Sequence, residues 1–298
     1  MATTTAHPRA RRRDSADAFA DRSAESDGAL RSARALSKVL VALVAVASTA
    51  GLLIDDLYRD PDAVGAMFRG HDLIAVTIIA PALAVTLLPP FRRSVRAQLV
   101  WMALLGYSVY HSAMYVFGTT FNSIFLLHVA VFSASVLAFG LALANIDAAA
   151  IAGRFTRQTP VRLVGGILLF LAAVLAIFWS APSLSFAFGG RLPEEGSKLI
   201  VPISITHLGW VLDLALLVPA YLLAGVLLWR RAPWGYVLAT VVLIAGVLQQ
   251  VEYMAALVSQ ADAGIPGATA FDPIEPFITT VYLVGAGTLI TAVRSRRA

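Results

Sequence analysis

The sequence predicts an all-α polytopic membrane protein, a transmembrane helical bundle of about eight spans. Of its 298 residues, 58% are hydrophobic and only 14% are charged, which is typical of membrane chains and not of soluble globular domains. The apolar runs are continuous over roughly 16–25 residues and lack the alternation of barrel strands, so they fit membrane-spanning helices. The lipid bilayer is therefore the partner that composition identifies.

The chain divides into a short polar segment and a long apolar one. Residues 1–34 are rich in Ala, Arg, Asp and Ser and nearly lack large apolar side chains, which predicts a disordered cytoplasmic tail. Residues 35–298 are predicted to form the transmembrane domain. A cleaved signal peptide is the alternative for the N-terminus, because residues 39–50 form an apolar core that includes small residues. Its long charged leader and the continuation of the apolar run to Ile54 favour a first span instead.

The predicted spans alternate with connections of contrasting charge. We expect spans at residues 36–54, 72–88, 97–117, 121–145, 161–179, 207–229, 234–258 and 273–293. With these spans, 19 of the 23 Lys and Arg residues lie on the side of the termini, and four lie opposite: Arg59, Arg69, Arg191 and Lys198. The positive-inside rule then places both termini in the cytoplasm and the protein in the cytoplasmic (inner) membrane. Since the basic residues flank apolar segments, we expect no nucleic acid partner.

Several matches suggest two related four-helix halves, residues 35–146 and 161–293. Pro81-Ala82 precedes Arg92-Arg93 by the same eleven residues that separate Pro219-Ala220 from Arg230-Arg231, an offset of 138 in both cases. Phe121-Asn122 and Phe271-Asp272 open the last span of each half. Chance agreement is the alternative, because basic pairs end spans under the positive-inside rule and Pro-Ala pairs are common in Ala-rich chains.

The ionisable residues inside the predicted spans gather toward the less basic side. A carboxylate within a span should face the bundle interior, because exposing it to lipid costs about 2.5–3.5 kcal/mol. The turn at residues 118–120 makes spans three and four antiparallel, which brings His111 and His128 to nearly the same depth. His71 lies on the same side. The predicted ligand-binding residues are Asp72, His111, His128, His207, Asp213, Gln249 and Glu252.

Three functions are compatible with that polar region. One is binding or transport of a small solute or lipid-like ligand through an outward-facing pocket, with Asp213 or Glu252 taking up a proton or cation. A second is a membrane oxidoreductase or a protein that handles metal or haem through the outer histidines. The third is a structural or assembly protein whose buried polar network holds the helices together. The sequence assigns no cofactor, no metal ligand and no oligomeric state.

Common catalytic signatures do not decide between these functions. The chain has no cysteine, so thiolate metal sites and thiol chemistry are excluded. It has no glycine-rich phosphate loop, no H-E-x-x-H and no G-x-S-x-G. The sequence therefore offers no motif for nucleotide-driven transport or for the commonest hydrolase mechanisms. Whether the protein is an enzyme therefore stays open at this level.

Parts of both halves resemble an uncharacterised family of bacterial multi-pass integral membrane proteins. In the first half the resemblance lies in His71-Asp72-Leu73, Pro81, Arg92-Arg93-Ser94 and the stretch 110–126; in the second half, in residues 211–214, Pro219 and the turn 231–236. It covers most of the membrane portion and implies a helical membrane fold, but no activity. It also implies that Asp72 and Asp213 are family-like positions, and that His111 and His128 occupy positions where the family often has aromatic or amide side chains.

Overall fold

The computed structural model describes residues 8–190 and 198–294 and confirms the predicted fold class. The protein is 81% helical and has no strand within the described ranges. Eight long helical segments run through this part of the chain: α1 Pro8–Leu53, α2 Asp62–Thr86, α3 Val95–Gly118, α4 Phe125–Asn145, α5 Val161–Gly189, α6 Ile203–Trp229, α7 Pro233–Asp262 and α8 Ile274–Ala292. Short helices Pro89–Arg92 and Ala148–Ala152 lie in two of the connections.

Seven of these eight helices are long and apolar enough to cross a membrane, and the exception within the described chain is α3. With 24 residues, α3 has the length of a span. Twelve of its residues are buried, against five of 29 in α5, and it packs on both α4 and α7. A helix that neighbouring helices surround can carry polar side chains, because these face protein and not lipid.

Helices α1 and α2 begin ten or more residues before the spans that the sequence predicted. The disordered tail was expected to reach residue 34, but α1 is helical from Pro8, and residues 1–7 lie outside the described residues. The Ser26 hydroxyl donates to the Asn145 carbonyl (3.0 Å), and Ala33 is fully buried. Helix α1 packs mainly on α4. Leu30, Ala33 and Ser37 recur at helical spacing, and the Ser37 hydroxyl accepts a hydrogen bond from the Trp101 indole N–H of α3 at 3.0 Å.

The early start of α2 changes the position of Asp72. Since α2 begins at Asp62, Asp72 lies ten residues inside the helix and not at its mouth, as we had expected. Val64, Met67, Phe68 and His71 follow the i, i+3, i+4, i+7 spacing of one helix face, and all four are buried. This face extends the helix beyond the apolar run that hydropathy alone detects.

Helix α7 lies at the centre of the bundle and packs against α2, α3, α6 and α8. Gly70 makes the contact with α2 close: a Cβ at this position would lie 2.7 Å from the carbonyl oxygen of Ala255 and from the Cα of Ala256. Only glycine permits this approach of the two backbones. The approach places His71 of α2 beside the part of α7 that carries Glu252.

The structure adds two local features to the sequence matches between the halves. A π-helical turn at Ala75–Ile79 interrupts α2, and another at Asp213–Leu217 interrupts α6, each two residues before a proline and again offset by 138. The side chains of Asn122 and Asp272 accept hydrogen bonds from the backbone N–H two residues later, at 3.1 and 3.0 Å. Both features support the prediction of two related halves.

Candidate functional site

The centre of the candidate site is the carboxylate of Glu252, which two imidazoles approach. His111 Nδ1 hydrogen-bonds Glu252 Oε1 at 2.5 Å, and His71 Nδ1 lies 3.4 Å from the same oxygen without hydrogen-bond geometry. All three residues are buried, with exposures of 5–7%. The three groups come from α7, α3 and α2, so this cluster joins three helices through one oxygen atom. Its net charge depends on how many protons the imidazoles hold.

Aromatic rings on α3 lie on both sides of His111. Tyr107, His111 and Tyr115 follow i, i+4, i+8 spacing, and consecutive ring centroids lie 5.6 and 4.9 Å apart. The Tyr107 hydroxyl lies 3.5 Å from His111 Nδ1. This spacing places the three side chains on one side of the helix.

Asp72 forms a second group, in which two phenols donate to one carboxylate. Tyr58 donates to Asp72 Oδ2 at 2.6 Å, and Tyr115 donates to Asp72 Oδ1 at 2.9 Å. Tyr58 lies in the connection between α1 and α2, outside the spans; burial, followed by the neighbouring Asp72, raises the pKa of its phenol well above the usual range. Tyr58 therefore keeps its proton and acts as a hydrogen-bond donor. Gly51 of α1 lies against this contact, where a Cβ would overlap with Asp72 and the Tyr58 hydroxyl.

A small cavity separates Asp72 from His128 of α4. Its volume of about 10 Å³, as space open to the centre of a water molecule, is enough for about one water. His128 is only 3% exposed, and neither ring nitrogen has a hydrogen-bond partner among the described residues. The cavity is lined by Val44, Ala47, Ser48, Asp72, His111, Ser112, Tyr115, His128 and Val131.

Asp213 belongs to a separate group on the other side of α3. It accepts hydrogen bonds from the Tyr110 hydroxyl at 2.8 Å and from the Trp179 indole N–H at 2.9 Å. The Trp179 ring is stacked on Trp210 at 5.1 Å. Gln249 is within hydrogen-bonding reach of Tyr110. Asp213 is thus held by aromatic donors and does not contact the histidines.

An open cleft lies beside Tyr58, at the end of α2 where Asp62 begins the helix. Its volume is about 380 Å³, and Tyr58 forms part of its wall. The Thr120 backbone N–H and hydroxyl both donate to Asp60 at this end of the bundle. The charged residues lining the cleft are Asp56, Asp60, Asp62, Arg69 and Asp262. Tyr58 thus lines the cleft and also donates a hydrogen bond to Asp72.

The structure brings together most of the residues that the sequence selected. Asp72, His111, His128 and Glu252 form one connected region, while Asp213 and Gln249 form the neighbouring one. His207 is exposed on α6 and joins neither. Tyr58 was missed, because nothing in a loop sequence indicates which buried group a tyrosine reaches. Within the described residues no group of three or more His, Asp and Glu side chains is arranged to hold a metal ion. The structure therefore adds no support to the hypothesis of a metal site.

The cluster lies in the half of the bundle nearest the connections that contain few basic residues. His111 is seven residues from the end of α3, which corresponds to about 10 Å along the helix axis. Comparison of the chain with protein-family models, curated proteins and solved structures gives no match. The function is therefore argued from the geometry of the site.

Proposed function

We propose that this integral membrane protein binds or transports a small polar solute and couples that binding to protonation of the cluster formed by His71, His111 and Glu252. The observation that carries the proposal is the approach of two buried imidazoles to a single oxygen of Glu252. An ionisable group inside a membrane is costly and usually marks an ion or substrate pathway. Imidazole is the side chain whose charge changes near neutral pH, so this cluster fits proton uptake.

The cleft beside Tyr58 is the entry site that fits the solute. Its volume of about 380 Å³ lies within the range of small-molecule sites, about 300–1,000 Å³. Its carboxylates favour a small basic solute over a lipid-like ligand. The excess of Lys and Arg on the side of the termini supports an orientation in which this cleft faces outward from the cytoplasmic membrane and both termini are cytoplasmic.

Charge movement on a pH step tests the proposal before the solute is known. Protein reconstituted in liposomes on a solid-supported membrane is stepped across the imidazole range, roughly pH 7.5 to 5.5. We expect a transient current, because protons enter sites below the membrane surface. In E252Q the carboxylate that stabilises protonated imidazole is gone, and the displaced charge should fall at least about fivefold.

E275Q is the matched control for this measurement. Glu275 also lies in a spanning helix, at the start of α8, but its carboxylate is hydrogen-bonded to Gln250 and lies outside the cluster. Its variant should keep the wild-type current. A wild-type signal equal to that of protein-free liposomes would refute proton coupling. Small amines, amino acids and sugars, added in turn at fixed pH, then identify the solute by the additional current.

A structural role is the second candidate, and one observation favours it. Both oxygens of Asp72 accept hydrogen bonds from protein donors, so this carboxylate needs no ligand to be satisfied. A buried polar network of this kind holds membrane helices together. If E252Q and D72N fail to form a monodisperse helical protein in detergent, while E275Q does form one, the network is structural.

A further inference from the structure

The buried imidazole of His128 has no hydrogen-bond partner from the described residues at either nitrogen. A neutral imidazole carries one donor and one acceptor, and burying both without partners is unfavourable. Buried polar groups in folded proteins are almost always paired with protein or with ordered water. The surroundings of His128 therefore indicate a small hydrogen-bonding ligand.

The cavity beside His128 has the size and chemistry for such a ligand. It has room for about one water molecule. Its polar lining comes from all four surrounding helices: Ser48 of α1, Asp72 of α2, His111 and Ser112 of α3, and His128 of α4. A buried water needs two to four polar partners, and this lining offers them.

We propose that this cavity binds one water molecule, and that the water links Asp72 to His128 and His111 in a proton path that begins at Tyr58. The role of the path rests on the proposed function, whereas occupation of the site does not. Tyr58 contacts the outer cleft on one side and Asp72 on the other. The water extends this connection beyond Asp72 toward the imidazoles.

Proton transfer along this path conserves protons at every step. The Tyr58 oxygen takes up a proton from the cleft while the phenol passes its own proton to Asp72. Asp72 passes a proton to the water, and the water passes one of its own to His128 or His111. The net result is one proton moved from the cleft to an imidazole, with Tyr58, Asp72 and the water restored.

The groups that face this path come from every element packed around it. From α2 these are His71 and Asp72, from α3 His111 and Tyr115, and from α7 Glu252. Helix α1 contributes Val44, Ala47 and Ser48, and α4 contributes His128 and Val131. The carboxylate of Glu252 provides the negative charge that holds the arriving proton near His111.

The first test is direct. In a structure of the full chain resolved well enough to show ordered water, we expect a density peak within hydrogen-bonding distance of a His128 nitrogen and of an Asp72 oxygen. A cavity without a peak overturns the inference. The peak should be lost in H128L and kept in H128Q, whose amide still donates and accepts.

The second test measures the role of the path. After the pH step, the transient current of H128L and of Y58F should rise about tenfold more slowly than that of the wild type, with the final displaced charge largely kept. Y282F is the matched control, because Tyr282 is also buried but lies outside the path. Its hydroxyl forms a hydrogen bond with the Tyr221 hydroxyl at 2.9 Å. Y282F should retain the wild-type rate.

The two tests separate the failure of this inference from the failure of the proposed function. Wild-type rates in both H128L and Y58F overturn the proton path even if the density is present. Absence of any current in the wild type refutes the proposed function, and the density measurement then still decides whether the water site exists.

Discussion

Replacement of Gly51 by alanine tests the contact that holds Tyr58 on Asp72. The new Cβ would overlap with Asp72 Oδ2 and with the Tyr58 hydroxyl, so the phenol and the carboxylate must separate. Overpacking costs about 1–3 kcal/mol, and loss of a hydrogen bond to a charged group costs about 1.5–3 kcal/mol. The better helix propensity of alanine returns about 1 kcal/mol. The net expected destabilisation is about 1.5–5 kcal/mol.

Thermal unfolding of the purified protein in mild detergent measures this effect. For a chain of this size the loss corresponds to a fall in Tm of roughly 3–15 °C. Gly28 provides the control in the same helix, because no atom lies within 4 Å of a Cβ built there; G28A should be neutral or slightly stabilising. In a D72A background, the room left by the missing carboxylate should recover at least about 1 kcal/mol of the G51A cost. A G51A protein that melts like G28A would refute the reasoning.

Two further predictions concern the second aspartate and the orientation. D213N should destabilise the protein by about 1–3 kcal/mol and change the Trp179 emission, because the amide can accept from Tyr110 or from Trp179 but presents its N–H₂ to the other; unchanged unfolding and fluorescence would contradict the role of these hydrogen bonds. The chain lacks cysteine, so single cysteines at the exposed Thr269 and Gln158 report sidedness. An impermeant maleimide should label T269C in intact cells and Q158C only after permeabilisation, and the reverse pattern would invert the proposed orientation.

The helices could be predicted from the sequence because a lipid environment leaves the backbone few alternatives. Continuous apolar runs must form helices to satisfy their own N–H and C=O groups. The short turn after α3 also fixes the relative depth of His111 and His128, and both histidines line the same cavity. What hydropathy missed was the first part of α2, where one buried face is enough to extend the helix.

The assembly of the site could not be predicted, because it depends on contacts between distant parts of the chain. Glu252 meets His71 only because Gly70 lets α2 approach the backbone of α7 at Ala255, about 185 residues away in sequence. The π-helical turn that begins at Asp213 could not be predicted either. Such a turn adds one residue and rotates the following helix by about 100° relative to an uninterrupted one.

The polar character of α3 has a consequence for how the chain enters the membrane. Segments leave the translocon one after another, and each partitions into lipid according to its own hydrophobicity. Within the described chain, α3 is the one long helix that is not apolar enough to be a membrane span by composition. Its transfer into lipid is therefore the least favourable of the eight. Its packing partner α4 follows after six residues, whereas α7 begins more than a hundred residues later. Helices α3 and α4 should therefore insert as a hairpin, with the histidine face of α3 left exposed until translation delivers α7 to cover it.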